Sequence, residues 1–93
     1  MSELQKDDLA PAELRERVEQ IVSRVSRIDA SEFEDEVLIR EELGIDSLMA
    51  MEIIATCEKE LSIRIDETLF ACVESVGDFM SIMHDLYEDQ RAS

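Results

Sequence analysis

The strongest constraint on this chain is the spacing of its apolar residues, which follows the period of an α-helix and gives no strand pattern. Leu14, Val18, Ile21, Val22 and Val25 fall at i, i+4, i+7, i+8 and i+11, one stripe along a helix. Arg15, Arg17, Glu19 and Arg24 lie off it. Pro11 suits a first helical turn, with Asp8 or Ala10 ahead of it, so the spacing predicts a first helix over residues 11–27.

Three more helices follow from local signals. Asp46 is a good N-cap and puts Ser47 in the first turn of a second helix. Leu48, Met49, Ile53, Ile54, Cys57 and Leu61 supply its apolar positions. Asp66 caps a short third helix over residues 67–72, with Leu69, Phe70 and Val73 apolar. Ser75 and Asp78 form a Ser-x-x-Asp start signal for the last helix, whose inner face is Val76, Phe79, Met80, Met83 and Tyr87. Residues 28–45 keep no period and read as a long ordered loop, packed by its own apolar residues and broken at Gly44. The expected fold is all-α: an antiparallel four-helix bundle with three longer helices, one short helix 3 and a long first loop. Residues 1–10 and 88–93 read as flexible tails around a domain of residues 11–87.

Charge narrows the partners. The net charge is −15, from 24 acidic and 9 basic residues. Such a field repels phosphate backbones and anionic membranes, and favours a basic protein partner. The charge is also segregated. Residues 12–28 hold three acids and four arginines, whereas residues 29–60 hold eleven acids and only Arg40 and Lys59 as bases. Solubility alone does not require this, so the acidic stretch reads as a docking surface, with Glu52 and Glu58 its exposed contributors from the second helix.

No apolar run approaches the roughly 20 residues that span a bilayer, and the N-terminus lacks the apolar core of a secretory signal. The expectation is a cytoplasmic monomer. Cys57 and Cys72 lie in apolar stretches and read as buried, reduced thiols. His84, beside Asp85, is the lone histidine and reads as exposed, so neither a zinc set nor a histidine relay is assignable. The acids of Glu32–Glu36 lack the spacing and turn glycine of a calcium loop and suit only weak, non-specific divalent binding.

Ser47 is the candidate for chemistry. A hydroxyl at a helix N-terminus stands where free N–H groups and the helix dipole favour a negative group such as a phosphodiester. By itself, a serine after an aspartate cap is ordinary helix punctuation. The surrounding residues add more. Leu43-Gly44-Ile45-Asp46-Ser47-Leu48 resembles the Asp-Ser-Leu motif of acyl and peptidyl carrier proteins. Glu52-Ile53 falls where that family commonly has Glu-Leu, and Glu58 and Leu61 fall near its acidic and apolar positions ending helix 2. Ile65, Val73 and Ser75-Val76-Gly77-Asp78-Phe79 match its short helix 3 and the start of helix 4, so the resemblance covers about residues 14–87.

The resemblance implies a non-catalytic carrier. A Mg²⁺-dependent phosphopantetheinyl transferase would use coenzyme A to place a 4′-phosphopantetheine arm on Ser47, with Asp46 assisting. The arm's thiol would hold acyl intermediates as thioesters for enzymes of fatty-acid, polyketide or specialised acyl biosynthesis. Leu48, Met51, Glu52 and Glu58 would meet those partners: acyl-transfer, ketosynthase or ligase-type enzymes with basic docking patches. An aminoacyl or peptidyl cargo, or an unmodified acidic module binding a basic protein, are the alternatives.

Two departures from the family pattern carry expectations. Many fatty-acid carriers have an acid where this chain has Met49, and Asp-Ser-Leu-Met-Ala-Met-Glu-Ile looks more like polyketide-type or specialised carriers. Met49, four residues before Ile53, is the better core candidate of Met49 and Met51. Phe70 falls near a position often small in the family, and Cys57 where leucine is common, which predicts a reshaped cavity and weaker sequestration of long acyl chains.

Overall fold

The computed structural model describes residues 9–92. In order, its elements are α1 (Pro11–Ser26), a 3₁₀ turn (Ala30–Glu32), α2 (Ser47–Leu61), a short 3₁₀ helix (Glu67–Cys72) and α3 (Val76–Ala92). The expected flexible tail of residues 1–10 lies almost wholly outside the described residues.

Each helix begins and ends for a local reason. Ahead of α1, the Ala10 N–H donates to the Glu13 carboxylate at 3.0 Å, and Pro11 opens the helix. Arg27 closes it in the left-handed region at φ 65°. Asp46 accepts from the Met49 N–H at the start of α2, and Ser62 ends that helix at φ 55°. Asp66 accepts from the Thr68 hydroxyl and N–H, which holds its carboxyl below the ordinary 3.8. The start signal of α3 forms as expected: the Asp78 N–H donates to Ser75 Oγ at 3.1 Å, and the Ser75 N–H donates back to the Asp78 carboxylate at 3.2 Å.

The apolar stripe of α1 is the centre of the core. Leu14, Val18, Ile21 and Val22 are buried against Ile53, Cys57 and Leu61 of α2 and Val76, Phe79, Met80, Met83 and Tyr87 of α3. Phe33 and Ile45 of the long loop are buried with them, while Val37, Ile39 and Leu43 pack partly against the same core. The loop is therefore ordered by its own apolar residues. It is also stapled to the start of α3: Ile39 N–H donates to Glu74 O (2.8 Å), Val76 N–H to Val37 O (2.9 Å) and Gly77 N–H to Asp35 O (3.0 Å). A side chain at Gly77 would meet the Asp35 Cβ and carbonyl at 3.2 Å, so this close approach favours glycine and a larger residue would push the loop away by a few tenths of an ångström. Arg15 adds a tie from α1, pairing with Asp35 at 2.6 Å and donating to Phe33 O at 3.0 Å.

Three expectations need correction. Helices α2 and α3 run in the same direction, so the bundle is not uniformly antiparallel. Their starts line one cavity, and at their ends Arg91 donates to Leu61 O at 3.1 Å. The segment between them, with its 3₁₀ helix, carries the chain back along the bundle. Helix α3 continues to Ala92 instead of ending at residue 87. Gln90 explains this: it both donates to and accepts from the Arg64 backbone at 2.8 Å. Cys72 is exposed, because the 3₁₀ helix turns it outward, whereas Cys57 is fully buried and burial pushes its thiol up to about 12. The expected absence of strands holds among the described residues, where the sole β-pairing is one isolated antiparallel bridge, Leu38 with Ser75.

Candidate functional site

Ser47 occupies the first position of α2 and is exposed. Asp46 precedes it in extended backbone, its side chain accepting from the Met49 N–H at 2.9 Å and its carbonyl from the Ala50 N–H at 2.9 Å. Those bonds use the N–H groups of the third and fourth positions. The N–H groups of Ser47 and Leu48 have no acceptor within the helix and face outward as a partial positive charge. Among the described residues nothing holds the Ser47 hydroxyl. Other serines are engaged: Ser26 donates to Val22 O, Ser31 to the Asp29 carboxylate, and Ser75 Oγ accepts from Asp78. Ser47 is thus an exposed, free hydroxyl beside two free N–H donors.

The residues expected around it separate into two groups. Leu48 is 80% exposed and Met51 51% exposed, an apolar pair open to solvent beside the serine. Glu52 is exposed with them, while Met49 turns inward and packs against the core as expected. Glu58 departs from the reading as an exposed docking acid. It is half-buried, and its carboxylate accepts the Ile65 N–H at 2.7 Å. That bond shapes the chain's exit from α2. On the 3₁₀ helix, Leu69 is also open to solvent, at 44% exposure.

Beside the start of α2 lies a cavity of about 250 Å³. Its walls come from the loop (Ile39, Leu43), α2 (Ile53, Ile54), the 3₁₀ helix (Phe70) and α3 (Phe79), with Asp46 at its margin. A cavity of about 150 Å³ holds one benzene ring, so this one has room for roughly ten carbon atoms. Phe70 and Phe79 pack against each other in its wall, with ring centroids 5.3 Å apart. Of the two residues expected to reshape the cavity, Phe70 lines it and Cys57 does not. Sequence spacing had no means of finding Arg40 and Glu74 on the same margin. They lie 34 positions apart and are joined there by the pairing of the loop with the start of α3.

An exposed, unbonded hydroxyl on a helix start, beside a cavity in a small helical bundle, is an arrangement that suits a carrier of covalently tethered groups. Residues 16–81 match the phosphopantetheine attachment site family. The chain belongs to this family of acyl carrier proteins. It is 34% identical over 74 residues to an acyl carrier protein of Saccharopolyspora erythraea, covering 80% of this chain and 78% of that one. It is 30% identical over 77 residues to polyketide-8 synthase acyl carrier protein 2 of Streptomyces avermitilis, covering 83% and 88%. A stretch of non-reducing polyketide synthase 1 of Elsinoe fawcettii is 39% identical over 62 residues, covering 67% of this chain and 3% of that protein. The cofactor of the family is a covalent phosphopantetheine arm. The donor set at Ser47, a free hydroxyl with two free N–H groups, fits the phosphodiester end of that arm. Among the described residues no helix is long and apolar enough to cross a membrane.

Proposed function

We propose that Ser47 carries the 4′-phosphopantetheine arm and that the protein presents acyl groups, as thioesters on the arm's thiol, to biosynthetic enzymes. One observation carries this reading: Ser47 is an exposed, unbonded hydroxyl in the first turn of α2, next in sequence to Asp46, which lines the cavity. When attached, the arm supplies a thiol that forms the thioester. The chain's own contribution is to hold and present it. The α2 start stabilises the phosphodiester through the Ser47 and Leu48 N–H groups. Asp46 fixes that start and assists the transferase. Leu48, Met51 and Glu52 form the surface that meets acyl-transfer or ketosynthase enzymes, whose basic patches the acidic charge attracts. Two relatives are named as polyketide synthase proteins, which favours polyketide or specialised acyl synthesis as the destination. In this reading the protein works as a cytoplasmic monomer. A cargo of more than roughly ten carbons exceeds the cavity, so long chains are poorly sequestered.

The test is direct. Incubation with a broad-specificity phosphopantetheinyl transferase, Mg²⁺ and coenzyme A adds one phosphopantetheinyl mass to the native chain and none to Ser47→Ala. A native chain that gains no mass is an unmodified acidic module. A Ser47→Ala chain that still gains it carries the arm elsewhere.

A further inference from the structure

The cavity beside Ser47 is not uniformly apolar. Its margin holds Arg40, Glu41, Asp46 and Glu74. Three of these are acids, in a chain of net charge −15. Arg40 is the sole cation in the lining. A purely hydrocarbon cargo needs no cation at that place, and an acidic margin alone would repel a cargo rich in oxygen.

The Arg40 backbone is held in place, and its exposed side chain forms no ion pair among the described residues. Its backbone is fixed on both sides: Gly44 N–H donates to Arg40 O at 3.2 Å, Ile39 N–H to Glu74 O at 2.8 Å and Ile45 N–H to Ile39 O at 3.2 Å. The nearby carboxylate of Glu42 is occupied by the Leu38 N–H at 2.8 Å. Among the described residues Arg40 forms no ion pair, whereas Arg15 pairs with Glu19 and Asp35 and Arg24 pairs with Glu60. A guanidinium offers a planar fork of donors that suits a carbonyl oxygen.

We infer that Arg40 is a specificity-determining residue, which makes this cavity favour acyl chains bearing a second carbonyl, such as β-keto chains, over saturated chains of equal length. The inference rests on Ser47 as the attachment point. The alkyl part of the cargo occupies the apolar wall at Ile54, Phe70 and Phe79, and the keto oxygen accepts from Arg40 at the margin.

The test compares two cargoes of equal length, octanoyl and β-keto-octanoyl, each loaded through the arm onto the native chain, Arg40→Gln and Arg40→Lys. Loading is verified by mass, and the readout is the rate of thioester cleavage by hydroxylamine, which sequestration slows. Arg40 is exposed, and circular dichroism checks that the variants keep the native helix content. For the β-keto cargo, Arg40→Gln speeds cleavage about three-fold, the size expected of one exposed charged contact. For the octanoyl cargo it changes nothing, and Arg40→Lys recovers part of the β-keto protection. Equal effects on the two cargoes, or none on either, overturn the inference while leaving Ser47 as the attachment point. Failure of the native chain to load overturns the reading of Ser47, and this inference with it.

Discussion

The two ends of α2 are built on opposite terms. At its last turn, Glu58 accepts the Ile65 N–H, Leu61 is buried, and Leu61 O accepts from Arg91. The Arg91 guanidinium in turn lies 4.8 Å from the Tyr87 ring centre. At its first turn one side-chain bond, Asp46 to the Met49 N–H, does the capping, and Leu48 stands in solvent. The contrast shows a division of labour. Burial and hydrogen bonds at the far end anchor the helix, so the near end can leave its hydroxyl, its N–H groups and an apolar side chain unsatisfied. Unsatisfied groups are what an arm and a partner surface require.

That division can be broken by substitution, and the largest effect lies at the anchored end. Leu61→Ala removes a buried side chain and costs ~2–5 kcal/mol, measured by urea denaturation. A loss below about 1 kcal/mol would show that the far end is not the anchor. Glu58→Ala strands the Ile65 N–H and costs on the order of 1–3 kcal/mol, read the same way. Loss of transfer to partner enzymes at unchanged stability would instead return Glu58 to the docking surface.

A pH experiment sharpens the comparison at the near end, where α3 begins beside the cavity. Asp78 accepts from the Ser75 and Glu74 N–H groups, and these bonds hold its carboxyl below the ordinary 3.8. The native pKa is lower than the unfolded one. Its contribution is therefore complete above 3.8 and fades as pH falls through the lowered native value. The stability gap between the native chain and Asp78→Asn should be constant near neutral pH and close in strong acid. A gap that widens with acid would contradict this.

The smallest effect on stability belongs to Leu48. Leu48→Ala should change it by less than about 0.5 kcal/mol, as expected for a surface position. The same substitution should slow acyl transfer by partner enzymes several-fold, roughly the worth of one apolar contact. A clear loss of stability would mean that Leu48 packs in the free protein and is not held open for a partner.

Much of this was legible in the chain. The α1 stripe predicted every buried residue of that helix, because a period of 3.6 leaves one face to bury. The caps at Asp46, Asp66 and Ser75 were readable because each satisfies N–H groups two or three residues away. Met49 and Met51 could be sorted in part by spacing, since Met49 precedes Ile53 by one turn. Glu58 could not be sorted. Its partner, the Ile65 N–H, lies in an irregular segment whose path has no period. Cys72 misled for a related reason, since an apolar neighbourhood in sequence does not say which way a 3₁₀ helix turns.

The sequence by itself determined the helices, their starts, the acidic segment and the serine in its family motif, because these depend on residues within a turn or two of one another. Tertiary structure decided the parallel course of α2 and α3, the stapling of the loop to α3, the occupation of Glu58 and the gathering of Arg40, Asp46 and Glu74 around one cavity. Those facts depend on pairs far apart in the chain. Only the burial of a shared core brings such pairs together.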